Sequence, residues 1–235
     1  MKIIVQITNL IVANCTLASK QGIMGSEGKK IKYVGIAGNI GAGKTTLCEK
    51  LAKHFGWTVQ YESTDNNPYL SDFYEDMKRW SFNLQIYFLN NRFRQIKTIL
   101  DGTETVVQDR TIYEDANIFA PNLHDMGLMS ARDFQNYQDL FELMTSHVQA
   151  PDLLIYLKAS VPTLVSHIHS RGRDYEGSIS IDYLKKLNER YDKWIDGYNA
   201  GKLLVIHSDD LDFKNNPEDL GKIINKVQGD MHGLF

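Results

Sequence analysis

The chain has 235 residues, 43% of them hydrophobic and 23% charged, with a formal net charge of −3. That balance suits one α/β domain with a full core, or one domain with a lid, and excludes a disordered chain or a strongly basic binder of nucleic-acid polymers. The two cysteines, Cys15 and Cys48, exclude a disulfide framework and point to a reducing, cytoplasmic setting.

In chain order, the first nineteen residues mix an apolar-leaning run with Lys2, Gln6, Thr8, Asn9 and Asn14, too short and too polar to span a bilayer. Residues 1–30 are therefore expected to be a dispensable N-terminal extension, with the domain occupying residues 31–235 and no membrane partner. Ile31 to Ala37 reads as a buried strand, and Thr46 to Phe55 as a helix with Leu47, Leu51 and Phe55 on one face. A second strand, Thr58 to Tyr61, ends in Glu62, and a polar loop rich in turn formers runs from Ser63 to Leu70. A long helix is expected over Lys78–Leu100, apolar on more than one face, so that one face meets the sheet and another a helix or subunit. Glu104 to Gln108 is a third strand leading to Asp109 and Arg110. A short helix over Tyr113–Ala120 is followed by an expected loop around Pro121, Asn122 and His124, and Ser130 caps a helix over Ala131–Gln149. Strands over Leu153–Leu157 and Leu203–Ile206 alternate with helices over Val161–Ser170, Ile181–Tyr198 and Glu218–Val227. Five apolar strands alternating with helices predict a five-stranded parallel sheet with helices on both faces.

Between the first strand and its helix lies Gly38-Asn39-Ile40-Gly41-Ala42-Gly43-Lys44-Thr45, a full match to the P-loop pattern. Glycines let backbone N–H groups turn inward around phosphate, and the helix N-terminus that includes Thr46 adds favourable field. Lys44 is placed to reach the β- and γ-phosphates of ATP, and the Thr45 hydroxyl to ligate Mg²⁺. The other strand ends supply Glu62, Asp109 and Arg110 at the same sheet edge, where ligands of such sheets gather. A carboxylate such as Glu62 can orient an acceptor hydroxyl and take its proton, Asp109 can help hold the donor's metal, and Arg110 can stabilise the moving phosphoryl group. Arg171 and Arg173, flanking Gly172, have the fork geometry of a lid closing on phosphates, at about residues 171–178.

These motifs in this order resemble the deoxyribonucleoside kinases, in particular their bacterial deoxyadenosine/deoxyguanosine kinase-like members, from about Lys32 to the C-terminus. The resemblance rests on Gly38 to Thr45, Glu62, Phe73-Tyr74-Glu75, Arg79 to Gln85, Asp109 to Asp115, and Arg171 to Glu176. It implies a P-loop kinase fold with an arginine lid, and transfer of the γ-phosphate of ATP to a deoxyribonucleoside 5′-hydroxyl. Glu62 would then be the base with Arg110 beside it, while Tyr74 and Glu176 would hold the sugar 3′-hydroxyl. Gln85, Arg92 and Asp115 would read the nucleobase edge, with Phe88 and Phe119 packed on its faces. Asp212 and Phe213 would border the donor base. The two long helices would build a homodimer. Ala116 stands where some animal members carry a second arginine, which leaves a roomier, less basic pocket and favours a purine.

Two other readings stay open at this point. A nucleoside monophosphate kinase shares the P-loop, the Asp-Arg strand end and the lid, although Glu62 and Glu176 would repel an acceptor phosphate. A catalytically inactive kinase-fold binding protein would be expected to lack parts of the site, yet Lys44, Thr45, Glu62, Asp109 and Arg110 are all present.

Overall fold

Strand β1 (Tyr33–Gly38) is buried along its whole length and forms the middle of a five-stranded parallel sheet of order β2-β3-β1-β4-β5. It belongs to a computed structural model that describes residues 31–62, 67–172 and 179–232. The expected N-terminal extension, Arg173 and Glu176 lie outside the described residues. The flanking strands are β2 (Thr58–Gln60), β3 (Val106–Asp109), β4 (Leu153–Lys158) and β5 (Lys202–His207).

Alternation along the strands divides the core. Val34, Ile36, Val107, Leu153, Ile155 and Leu157 face one layer. There they meet Leu47 and Leu51 of α1 (Lys44–Phe55), with Leu164 and Ile168 of α7 (Val161–Arg171) and Ile223 and Val227 of α9 (Pro217–His232) in the same cluster. On the opposite face, Tyr33 joins Leu84, Leu89, Ile96 and Ile99 of the 25-residue α3 (Met77–Asp101). Ala37, Leu154 and Tyr156 join Tyr183, Leu187 and Tyr191 of α8 (Ile181–Asp196). Each of these fully buried aliphatic side chains contributes about 1.5–3 kcal/mol through removal from water.

The expected sheet is present, with strand ends shifted by one or two residues. Two expectations need correcting. A six-residue helix, α2 (Leu70–Glu75), stands between the polar loop and α3. The stretch expected as a loop after Ala120 is helical: α4 (Ile112–Glu114) continues through a π-turn (Asp115–Phe119) into α5 (Ala120–Asp125). Pro121 is tolerated because it falls in the first turn after the π-turn, where the Ala120 N–H already reaches back to the Asp115 carbonyl. Ser130 caps α6 (Ala131–Thr145) as expected, its hydroxyl accepting the Asp133 N–H at 3.1 Å. No described helix is long and apolar enough to cross a membrane.

Register places the chemistry. Ile36 pairs with Asp109 and Gly38 with Leu157, so the P-loop leaves the sheet beside the end of β3.

Candidate active site

The loop after β1 depends on glycine where it turns. Gly41 has φ +84°, and a Cβ there would lie 2.7 Å from the Leu164 carbonyl oxygen. Gly43 has φ +91° and caps α1, with Phe213 packed against it. Asn39 is anchored outside the loop by Asn188 Oδ1 at 2.7 Å and the Leu184 carbonyl at 3.0 Å. Lys44 is buried, its Nζ donating to the Asn39 carbonyl at 3.0 Å. Burial, with Arg110 nearby, lowers its ammonium pKa to about 8.

The Thr45 hydroxyl donates to Oδ2 of Asp109. Oδ1 of the same carboxylate is buried with no hydrogen-bond partner among the described residues. A hydroxyl beside an unsatisfied carboxylate oxygen, opposite the loop that would hold phosphate, is an oxygen donor set suited to Mg²⁺. No described group of three His, Cys, Asp or Glu residues gathers to hold a metal, so phosphate and water would complete such a site.

Opposite the loop, Glu62 leaves the end of β2 with its side chain 22% exposed. Its Oε1 accepts Arg92 Nη2 at 2.7 Å and Arg110 Nε at 2.9 Å. Burial pushes this carboxyl up, but Arg110, Arg92 and Lys44 outweigh burial and hold it at about 2. Arg92 also donates from Nε to Asp115 and from Nη1 to the Arg110 carbonyl at 2.9 Å. Asp115 is buried enough that its carboxyl rises to about 6 despite Arg92 and Arg110. Arg110 is the only non-glycine residue with positive φ among the described residues, at 68°, and its guanidinium lies 4.5 Å from the Phe119 ring centroid. Strain at a residue held by so many partners is what an active site tolerates.

These groups open onto one cavity of about 860 Å³. On its wall stand Ile40, Gly41, Gly43, Lys44, Thr45, Thr46, Glu62, Tyr74, Gln85, Phe88, Asp109, Arg110, Asp115, Phe119, Arg171, Asp212 and Phe213. Gly38, Asn39 and Ala42 of the P-loop do not line the cavity, nor does Arg92, which contacts Glu62 and Asp115 and so supports two residues of the wall rather than standing on it. Gln85 is buried on the wall with Oε1 unsatisfied.

Sequence reasoning missed Tyr61, Phe73, Tyr183 and His167, all on the wall; His167 Nδ1 lies 2.8 Å from the Gly41 carbonyl. It also gave no role to Glu114, fully buried, which accepts the Gly38 N–H at 3.2 Å and the Thr111 N–H at 2.7 Å. The Thr111-x-x-Glu114 spacing is a capping box and was the signal that could have singled it out.

Residues 34–231 match the family model described as deoxynucleoside kinase. The chain belongs to the deoxynucleoside kinase family. It is 41% identical over 205 residues to a deoxyadenosine/deoxycytidine kinase of Bacillus subtilis, covering 86% of this chain and 94% of the relative. To a deoxyguanosine kinase of Lactobacillus johnsonii it is 39% identical over 202 residues, 82% of this chain and 89% of the relative. The structure of deoxyadenosine kinase from M. mycoides with bound dATP superposes with a TM-score of 0.74 at 30% identity, covering 83% of this chain and 98% of that one. The P-loop kinase fold is thus borne out, as is the enzyme class: phosphoryl transfer to a deoxynucleoside. Neither the monophosphate kinase nor the inactive binding protein is the reading that membership supports.

Proposed function

We propose that this deoxynucleoside kinase transfers the γ-phosphate of ATP to the 5′-hydroxyl of a purine deoxynucleoside, deoxyadenosine or deoxyguanosine. The observation that carries the reading is Glu62 on the same cavity as Lys44 and Thr45, its carboxylate aimed by two arginines. Held at about 2, Glu62 stays ionised through the neutral range and can accept a hydrogen bond from the 5′-hydroxyl. Its proton moves late in a loose phosphoryl transfer, so a weak base suffices. Lys44 and Arg110 supply positive charge on either side of the moving group, and Arg171 at the end of α7, with Arg173, is assigned to the lid.

Thr45 and Asp109 would hold Mg²⁺, which when bound neutralises charge between the donor phosphates. Tyr74, with Glu176, is assigned to the sugar 3′-hydroxyl, Phe88 and Phe119 to the faces of the base, and Asp212 and Phe213 to the donor base. The purine preference is supported by Ala116 beside Asp115, which leaves room, while the unsatisfied Gln85 oxygen is an acceptor for the exocyclic amine that adenine, guanine and cytosine carry and thymine lacks. The relatives named as deoxyguanosine and deoxyadenosine kinases support it as well. Two copies are proposed to pair through α3 and α6, in the cytoplasm.

A panel of the four deoxynucleosides with ATP, run with and without Mg²⁺, tests the reading. Turnover should be highest with a purine and require the metal; a lead of about tenfold for thymidine or deoxycytidine, about 1.4 kcal/mol in transition-state binding, would overturn the preference.

A further inference from the structure

We propose that Tyr191 is a positioning residue for phosphoryl transfer, its buried hydroxyl holding the Arg110 guanidinium against Glu62. The proposal rests on the kinase reading above. Tyr191 lies on α8, 81 residues beyond Arg110, and does not line the cavity. Its hydroxyl accepts Arg110 Nη1 at 2.9 Å, and its proton has two acceptors within reach, Glu114 Oε1 at 2.7 Å and the Gly38 carbonyl at 2.9 Å. Arg110 Nη1 stands 3.5 Å from Glu114 itself, so the hydroxyl is the closer tether. Glu114 is in turn fixed by the Thr111 and Gly38 N–H groups. The tether thus joins the start of the P-loop to the arginine that faces the acceptor carboxylate.

Arg110 needs such a tether. Its φ of 68° is costly for a residue with a Cβ, so its side chain direction must be held by partners. The Tyr191 ring has separate support: it stacks on Tyr156 with centroids 5.6 Å apart and planes at 15°. Removing the hydroxyl should therefore release Arg110 without releasing the ring.

The test is Tyr191→Phe in the full chain, assayed with whichever deoxynucleoside the wild type turns over, so that failure of the purine assignment leaves this result readable. Expected is a fall in kcat of about 10–100-fold, the size of one lost hydrogen bond to a charged group, with both KM values within about twofold. Tm should fall by about 3–6 °C, well short of unfolding at the assay temperature, because the ring stays in place. In an Arg110→Lys background the same change should lower kcat by less than about twofold further, because the two act as one unit. Glu114→Gln, as an independent variant, should reproduce the loss in kcat with KM spared. Tyr156→Phe, which removes a hydroxyl from the neighbouring ring, should leave kcat unchanged. Unchanged kcat in Tyr191→Phe, a full further loss in the Arg110→Lys background, or kcat and both KM values shifting together would each overturn the proposal. A wild type that phosphorylates no deoxynucleoside would overturn it together with the kinase reading.

Discussion

Arg92 Nη2 lies 2.7 Å from Glu62 Oε1, while the Nε of the same guanidinium binds Asp115. One buried arginine therefore ties the carboxylate proposed to face the 5′-hydroxyl to the carboxylate proposed to face the nucleobase. With only 2% of its side chain exposed, Arg92 is proposed to act on the acceptor only through these two groups. Removing Arg92 would leave Glu62 with Arg110 alone, at 2.9 Å, and would take from the buried Asp115 its ion-pair partner, a change that costs more than the pair contributes.

Glu62→Gln keeps the shape of the side chain but removes the charge that two arginines share. Turnover is expected to fall about 10²-fold or more, the usual scale of general-base loss, while the dissociation constant of the deoxynucleoside changes little. Because Glu62 is held at about 2, it contributes stability that is present above the ordinary carboxyl value of 4.5 and is lost only as the pH falls towards 2. Any acidic limb of the activity between pH 5 and 7 therefore belongs to another group. Steady-state kinetics with a parallel binding titration checks this; unchanged kcat would remove Glu62 from the role.

Asp115 is the group expected to supply such a limb. Burial raises its carboxyl from 3.8 to about 6, so between these values the folded protein keeps a proton that the unfolded chain has lost. Stability from this residue is thus greatest at low pH and declines as pH rises through 6. Function is expected to run the other way, since the ionised form pairs with Arg92 and is the form proposed to accept from the base. kcat/KM for the deoxynucleoside should rise through about pH 6, and Asp115→Asn should raise KM about tenfold or more and flatten that rise. A pH profile of kcat/KM for both proteins decides it.

Much of this site was legible because its signals are contiguous or sit where a strand must end. Gly38 to Thr45 is one unbroken motif, and Glu62, Asp109 and Arg110 each follow a short apolar run. What escaped depends on distance or on short-range exceptions. Tyr191 reaches Gly38 across 153 positions, and nothing in its helical spacing separates it from the buried Leu187 one turn earlier. Pro121 signals a break that the π-turn cancels, and α2 has only six residues and no side-chain cap. Arg92 was expected at the base edge, and only the packing of α3 shows its guanidinium turned towards two carboxylates.

Lys44 illustrates the cost of a phosphate-ready cation. Burial lowers it from 10.5 to about 8, so below pH 8 the folded protein bears the full penalty of a desolvated ammonium. Between 8 and 10.5 the unfolded chain holds a proton that the folded one has released, and stability rises with pH across that window. Lys44→Met is expected to raise Tm at pH 7 by about 3 °C, with a smaller gain near pH 10, while turnover with ATP drops about 10²-fold or more. Thermal melts at the two pH values, beside an activity assay, separate the two effects; a lower Tm at pH 7 would show that the Asn39 carbonyl contact outweighs desolvation.

The proposed pairing of two copies rests on α6. Of its fifteen residues only Tyr137 is fully buried, and Leu140 and Leu143, one turn apart, are 38% and 60% exposed. Phe134, Phe141 and Met144 pack inward against the cluster that includes Leu84 and Leu89 of α3, so α6 has an inner face already satisfied and an outer apolar pair that is not. Covering such a pair with the same face of a second copy is the closed, self-complementary arrangement most homodimers adopt. Replacing both leucines by glutamate sets like charges against each other across the two-fold axis, with little effect on the inner face. The double variant should sediment as a monomer at concentrations where the wild type is a dimer, and its Tm should become independent of protein concentration. A wild type that is monomeric throughout, or a variant that remains dimeric, would remove α6 from the interface.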